Sequence, residues 1–298
     1  MKTVVLIPCY NEAKTIAKVV RDFKRELPQA EVIVFDNNST DDSSTLARSA
    51  GATVVTIKRK GKGYVVRRMF EMAEADIYVL VDGDDTYSAK DVHKLIEPIV
   101  NDEADMVIGQ RVVVSNSAMK LINRIGNFLF SNLFSFCFLV RVKDVLSGYR
   151  AFSKQLVNNV PIIMHEFQVE MELTVQSLYR GMRLMEVPTA YKERPDGSIS
   201  KIHPLKDGGL ILFALLALLR DLRPMVFFGS IAIVLLLSVL SYGLYVYFAV
   251  RPATLLDTVV IISIAIISWL FISTGLFLHA LNRRFIELNT LMSRRKKN

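Results

Sequence analysis

Ile77-Tyr78-Val79-Leu80-Val81-Asp82-Gly83-Asp84-Asp85 decides the fold. An unbroken apolar run, rich in β-branched residues, passes straight into a glycine flanked by acids. A short run of this kind, closed by turn residues, reads as a strand buried on both faces. The pattern recurs upstream. Residues 3–7 run into Pro8-Cys9-Tyr10-Asn11-Glu12, and residues 32–35 into Asp36-Asn37-Asn38-Ser39-Thr40-Asp41-Asp42. Residues 53–57 and 106–108 read as further strands, and residues 12–27, 43–50, 63–73 and 90–100 as helices between them. Strands alternating with helices predict an α/β domain with a mostly parallel sheet covered on both faces. Such sheets bind ligands beyond the carboxyl ends of their strands. Asn, Asp and Gly also close ordinary turns. Polar clusters at three strand ends are more than turns require. Asp82 and Asp84, two residues apart, can gather a hard divalent cation such as Mg²⁺ or Mn²⁺.

The other end of the chain is built for lipid. No charged residue occurs from 224 to 250 or from 258 to 278. Each stretch is long enough for a helix to cross a bilayer core of about 30 Å. Only residues 251–257 separate them, which predicts a hairpin. Arg220 and Arg223 precede the first span, and the basic residues of 283–298 follow the second. The positive-inside rule then puts both termini and the α/β domain in the cytoplasm, at a plasma or inner membrane. Residues 205–222 mix apolar and charged side chains and predict an interfacial helix. Residues 118–140 are apolar with Lys120 and Arg124, and read as a stretch that touches the membrane, with an ordinary core helix as the alternative. The domain expectation is therefore 1–203 catalytic, 204–223 juxtamembrane, 224–282 two spans and 283–298 a basic tail.

Composition agrees. Of 298 residues, 51% are hydrophobic while 22% are charged, which excludes a disordered chain and fits a globular domain plus membrane segments. The net charge of +8 argues little for nucleic acid, because most of it sits after the second span, at Arg283, Arg284, Arg294, Arg295, Lys296 and Lys297. Anionic lipid headgroups are the simpler partner for that tail. Cys9 and Cys137 have no metal or redox spacing and are expected as buried thiols. The apolar run at the N-terminus is too short for a signal peptide.

The ordered set PxYNE at Pro8–Glu12, D-N-N-S-x-D-D from Asp36, Lys-Gly at 62–63 and D-x-D at Asp82 and Asp84 resembles family 2 glycosyltransferases of the GT-A fold. Ser147-Gly148-Tyr149-Arg150-Ala151-Phe152 is similar to the SGYRAF segment of the polyprenyl-phosphate glycosyltransferases. Arg194-Pro195-Asp196-Gly197-Ser198-Ile199-Ser200-Lys201 is similar to their RPEGSxSK segment. The resemblance covers essentially the whole chain and extends to bactoprenol glucosyltransferases and dolichol-phosphate mannose synthases. It implies an inverting, metal-dependent transfer of one sugar from a nucleotide-diphosphate sugar to a polyprenyl phosphate, undecaprenyl or dolichyl. The implied setting is the synthesis of a cell envelope glycan. UDP-glucose or UDP-N-acetylhexosamine is the favoured donor, and GDP-mannose the alternative.

By the same resemblance, Asp84 ligates Mg²⁺ or Mn²⁺, with Asp82 beside it and Thr86 where relatives carry Gln. Pro8, Tyr10, Glu12, Asp36, Asn38 and Lys62 cradle the nucleotide. The stretch 60–63 reads equally as a loop closing over the nucleotide and as a basic solvated turn. Arg111, Arg124, Asn127, Ser200 and Lys201 meet the acceptor phosphate, and Arg194 serves the diphosphate. Asp82, Asp84, Arg111 and Arg194 form the implied catalytic set. Phe128 replaces a Ser found in some relatives. Glu170 and Glu172 read equally as helix carboxylates near the site and as helix-face charges, and neither is assigned a catalytic role. Four rivals remain in view. A soluble glycosyltransferase with a hydroxyl acceptor would not need the hairpin, the interface helix and the RPDGSxSK loop together. A processive synthase needs a QxxRW-type segment, but Trp269, the one tryptophan, lies inside the second span. A membrane-anchored nucleotide-sugar sensor would lack turnover, and a nucleic-acid binder would carry its basic residues on the folded domain. Packing of the spans adds a homo-oligomer to the expected partners.

Overall fold

The computed structural model describes residues 1–113, 121–166, 168–195, 204–248 and 254–295. The chain forms two compact units, Met1–Leu212 and Phe213–Asn298.

In the first unit the apolar runs form strands as expected. β1 (Thr3–Cys9), β2 (Glu31–Asp36), β3 (Thr53–Thr56) and β4 (Ile77–Leu80) pair in parallel in the order β3-β2-β1-β4. Their Val, Ile and Leu side chains are buried on both faces, because helices cover both. α1 (Ile16–Glu26) presents Ile16, Val19, Val20 and Phe23 as one apolar stripe to the sheet. α2 (Ser43–Ser49), α3 (Lys62–Met72) and α4 (Val92–Val100) complete the alternation, with a 3₁₀ turn at Ala89–Asp91 before α4.

The second half of the sheet departs from simple alternation. β5 (Met106–Val113) is longer than expected and is followed by α5 (Leu121–Phe138). β6 (Arg150–Ser153) then inserts between β4 and β5, antiparallel to both. β7 (Leu184–Tyr191) pairs in parallel with β5 along its length, from Met106 opposite Leu184 to Val113 opposite Tyr191. The full order is β3-β2-β1-β4-β6-β5-β7. α6 (Lys154–Asn159) and α7 (Val169–Tyr179) lie between β6 and β7 in the chain.

Asn11, Asn38 and Asp85 follow β1, β2 and β4 with φ of 52°, 62° and 59°. Asn and Asp tolerate this left-handed region best among non-glycine residues. The polar clusters therefore turn the chain sharply where the strands end.

α8 (Pro204–Leu222) runs across the division between the two units. The second unit then holds two helices long and apolar enough to cross a membrane, α9 (Pro224–Phe248) and α10 (Leu255–Arg295). They form a hairpin. Gly275 lets α10 approach Pro224 and Phe228, and at the other end the Tyr242 hydroxyl donates to Asp257 at 2.7 Å. Most of their large apolar side chains face outward, as lipid-facing helices require.

Candidate active site

The carboxyl ends of β1, β2 and β4 lie level and are laced together. Cys9 is opposite Asp36, and the Asn37 N–H donates to the Cys9 carbonyl at 2.8 Å. The Glu12 N–H donates to Ser43 Oγ at 2.7 Å, and Thr15 Oγ1 donates to the Gly83 carbonyl at 2.7 Å. Asp36 is buried and accepts from the Ser39 N–H at 3.2 Å. Pro8 and Tyr10 are half-buried beside it, whereas Asn38 is exposed on its turn. The Lys60 ammonium donates to the Tyr10 hydroxyl at 3.2 Å. Asn37, which the sequence did not single out, shapes this rim. Its amide donates to the carbonyls of Ile57 and Arg59 at 3.1 and 2.7 Å, and its oxygen accepts from the Gly61 N–H at 2.9 Å.

The loop after β4 brings Asp82 and Asp84 to the same place. Asp84 is buried, and its Oδ1 accepts from Thr86 Oγ1 at 2.6 Å and the Thr86 N–H at 3.1 Å. Its Oδ2 pairs with the Arg194 guanidinium, which also lies 3.7 Å from Glu12. Burial, and after it the neighbouring Asp82 carboxylate, push the Asp84 carboxyl above its ordinary range, while Arg194 and Thr86 pull it back. Asp82 Oδ1 holds the Lys62 ammonium at 2.6 Å, and Glu170 holds the same ammonium at 2.5 Å. Burial opposes the Lys62 charge, but Asp82 and Glu170 outweigh it and hold the ammonium protonated. Lys62 is thus a half-buried ion-pair partner, not part of a solvated turn.

Gly148 packs against Asp82. A Cβ there would overlap the carboxylate, 2.9 Å from its Cγ. Tyr87 braces the same loop, its hydroxyl accepting from the Gly148 N–H at 3.0 Å.

Arg111 stands near the end of β5 in a closed network. Nε donates to Asp144 Oδ2 at 2.8 Å and Nη2 to Asp144 Oδ1 at 2.7 Å, a bidentate pair. Asn127 on α5 joins it, donating to Asp144 Oδ1 at 3.2 Å. Burial works against the Arg111 charge, but the Asp144 carboxylate more than offsets it and raises its pKa. Arg124, one turn before Asn127, is exposed. On the same helix Ile125, Phe128, Leu129, Leu133 and Phe136 are exposed, while Phe134 and Phe138 pack inward. Ser200 and Lys201 lie outside the described residues.

The sequence reading left several residues here without a role. Of the two readings of Glu170 and Glu172, the solvated helix face is the one the structure rules out. Both are buried on α7, whose two faces are enclosed. Glu172 accepts from the N–H groups of Ile163 and Met164 at 2.9 Å each. Arg150 is wholly buried and donates to the carbonyls of Ser147 and Val145 and to Thr174 Oγ1. Burial lowers its pKa to about 10. Asp144 carried no motif at all. The acid alternation Glu170-x-Glu172 was the one visible signal, because two acids two apart on a helix cannot share one solvated face.

Comparison with known proteins now fixes the family. Residues 4–160 match Glycosyl transferase family 2. The chain is 38% identical to glycosyltransferase AglJ of Haloferax volcanii, over 81% of this chain and 80% of that one. It is 31% identical to a dolichyl-phosphate hexose transferase of the same organism, over 70% of this chain and 89% of that one. The chain belongs to glycosyl transferase family 2 and is a glycosyltransferase. Among solved structures it resembles glucosyl-3-phosphoglycerate synthase from Mycobacterium tuberculosis, crystallised with Mn²⁺, uridine diphosphate and phosphoglyceric acid. That match has a TM-score of 0.58 and 24% identity, and covers 74% of this chain and 77% of that one. At that identity it bears on the fold, and the shared fold is GT-A.

Proposed function

We propose that this glycosyltransferase moves one sugar from a nucleotide-diphosphate sugar to a polyprenyl phosphate at the cytoplasmic face of a membrane, inverting the anomeric centre. The observation that carries the reading is the pairing of two polar centres in one domain. The carboxylates Asp82 and Asp84 end β4, and the oriented guanidinium of Arg111 ends β5. Two apolar helices in the same chain, and a relative named a dolichyl-phosphate hexose transferase, support a lipid acceptor. UDP-glucose or UDP-N-acetylhexosamine is the favoured donor, and GDP-mannose the alternative. The basic residues at the inner ends of α9 and α10 support cytoplasmic termini.

The two carboxylates suit a Mg²⁺ or Mn²⁺ ion. Each already draws a protein cation, Lys62 onto Asp82 and Arg194 onto Asp84. Among the described residues no third His, Cys, Asp or Glu joins them. That is the donor set expected of an ion held by one or two carboxylates and completed by substrate phosphates. Asp84 and Asp82 would hold it, with Thr86 steadying Asp84 through its two hydrogen bonds. Bound there, the ion stabilises negative charge on the departing diphosphate. Pro8, Tyr10, Glu12, Asp36 and Asn38 surround the nucleotide. Arg194 and Lys62 meet the diphosphate when it displaces their present partners.

The acceptor half follows from charge. A lipid phosphate is an anion near neutral pH and needs no general base to become a nucleophile. It does need donors to bring it toward another anion. Arg111 supplies an oriented guanidinium, and Arg124, Asn127, Ser200 and Lys201 add contacts. The exposed Phe128 and Leu129 beside Asn127 suit the first isoprene units. Attack opposite the leaving diphosphate gives inversion.

The test is transfer of labelled sugar into an organic phase. Purified chain in detergent receives Mg²⁺ or Mn²⁺, one labelled nucleotide sugar at a time, and undecaprenyl or dolichyl phosphate. Label that partitions only when the lipid phosphate is present supports the reading. Label that stays in water with every donor sinks it.

A further inference from the structure

Arg111 is held more tightly than binding a phosphate requires. Its Nε and Nη2 edge is taken by both oxygens of Asp144, at 2.8 and 2.7 Å, and its own backbone N–H donates to the same carboxylate at 3.0 Å. The Tyr191 ring lies 5.5 Å from the guanidinium carbon. Nη1 is the one guanidinium nitrogen with no partner among the described residues. An arginine paired in this way adds no net charge to its surroundings. What it offers a phosphate is direction, from a planar fork whose rotation is stopped.

Asp144 is itself fixed, and by groups that reach the donor carboxylates. Its side chain is 3% exposed, and its N–H donates to Glu186 at 3.0 Å. The loop that follows is clamped by the buried Arg150, which takes the Val145 and Ser147 carbonyls at 2.6 and 2.9 Å. Ser147 Oγ donates to the Gly109 carbonyl at 2.6 Å, two residues before Arg111. The loop ends at Gly148, pressed against Asp82. One rigid loop therefore connects the partner of Arg111 to the carboxylate pair.

We propose that Asp144 is a positioning residue: it fixes Arg111 so that Nη1 meets the acceptor phosphate at a set distance from the donor held by Asp82 and Asp84. This rests on the reading of Arg111 as an acceptor-phosphate residue. It separates two tasks that a cluster of arginines would otherwise share. The exposed Arg124 supplies charge, and the Asp144–Arg111 pair supplies orientation, which governs the rate of the bound complex more than its affinity.

Steady-state kinetics of the full chain in detergent, at saturating donor and varied lipid phosphate, tests this. Asp144→Asn keeps the shape and removes one negative charge. Its kcat should fall roughly 10- to 100-fold, while KM for the lipid phosphate stays level or drops, because the site becomes more positive. Nucleotide-binding stoichiometry should remain that of the wild type. Arg111→Lys keeps the charge but loses the fork and should show a similar loss of kcat. The double variant should lose little more than either single one, since the two act as a unit. Wild-type kinetics for Asp144→Asn beside an impaired Arg111→Lys would overturn the inference and leave the acceptor reading intact. So would additive losses, or a loss matched by fewer nucleotide-binding sites, which marks a folding defect. Unimpaired Arg111→Lys removes Arg111 from the acceptor, and the inference with it. A wild-type chain without lipid product overturns both.

Discussion

Asp84 and Cys9 lie at neighbouring strand ends, and burial raises the pKa of each, but their partners differ. Asp84 keeps charged and polar partners in Arg194 and Thr86, so its carboxylate remains available to a cation. Asp84→Ala removes it and should lower kcat at least ~100-fold, the scale of losing one strong electrostatic contact in a transition state. Circular dichroism and nucleotide-independent thermal unfolding should stay close to the wild type. Normal turnover by this variant would remove Asp84 from the chemistry. Cys9 is buried in the sheet, and burial pushes its thiol up to about 12. The thiolate is the reactive form, and a raised pKa leaves very little of it at pH 8. Iodoacetamide at pH 8 should therefore leave Cys9 unlabelled until denaturant is added, as mass mapping would show. Rapid labelling of folded protein would contradict its placement.

At the scale of elements, the joint between α3 and the segment before α7 carries a sharp steric prediction. The Gly63 N–H donates to the His165 carbonyl at 2.9 Å, and a Cβ on Gly63 would lie 2.8 Å from the His165 carbonyl carbon. Gly63→Ala forces backbone apart and should destabilise the domain by ~1–3 kcal/mol in chemical denaturation. Gly126, in α5, has nothing within 4 Å of an added Cβ. Gly126→Ala should be neutral or stabilise by up to ~1 kcal/mol. Equal effects of the two would contradict the packing described. The same elements show what the sequence could reveal. β1 to β4 were legible because each is an apolar run closed by turn residues, and the carboxylates fall at those closures. β6 was not, because it is four residues long and begins with Arg150. An arginine reads as surface unless its partners are known, and these are carbonyls three and five residues back that only the folded loop turns toward it, with Thr174 from α7. Asp144 was missed, and Glu170 was noted near the site without a role. Their partners Arg111 and Lys62 lie 33 and 108 positions away, and no local pattern marks such a pair.

The whole molecule joins a GT-A domain to a helical hairpin. α10 has 41 residues, so it is ~60 Å long, about twice the thickness of a bilayer core. Its apolar part matches the core, and its basic end continues as helix beyond it. The two long apolar helices were plain in the sequence because uncharged stretches of that length have few other uses. The proposed acceptor rests on resemblance, since a lipid phosphate would leave no periodic mark on a domain that binds it. A soluble glycosyltransferase has no need of such a hairpin, which would hold an enzyme acting on a lipid at its substrate. The most direct test is the intact mass of the lipid recovered after incubating the detergent-solubilised chain with Mg²⁺ or Mn²⁺, a pool of nucleotide sugars and undecaprenyl phosphate. The account predicts a new species heavier by one sugar residue and still carrying a single phosphate, formed by the wild type and not by Asp84→Ala. Unchanged lipid alongside an active control enzyme, or a product with two phosphates, would contradict it.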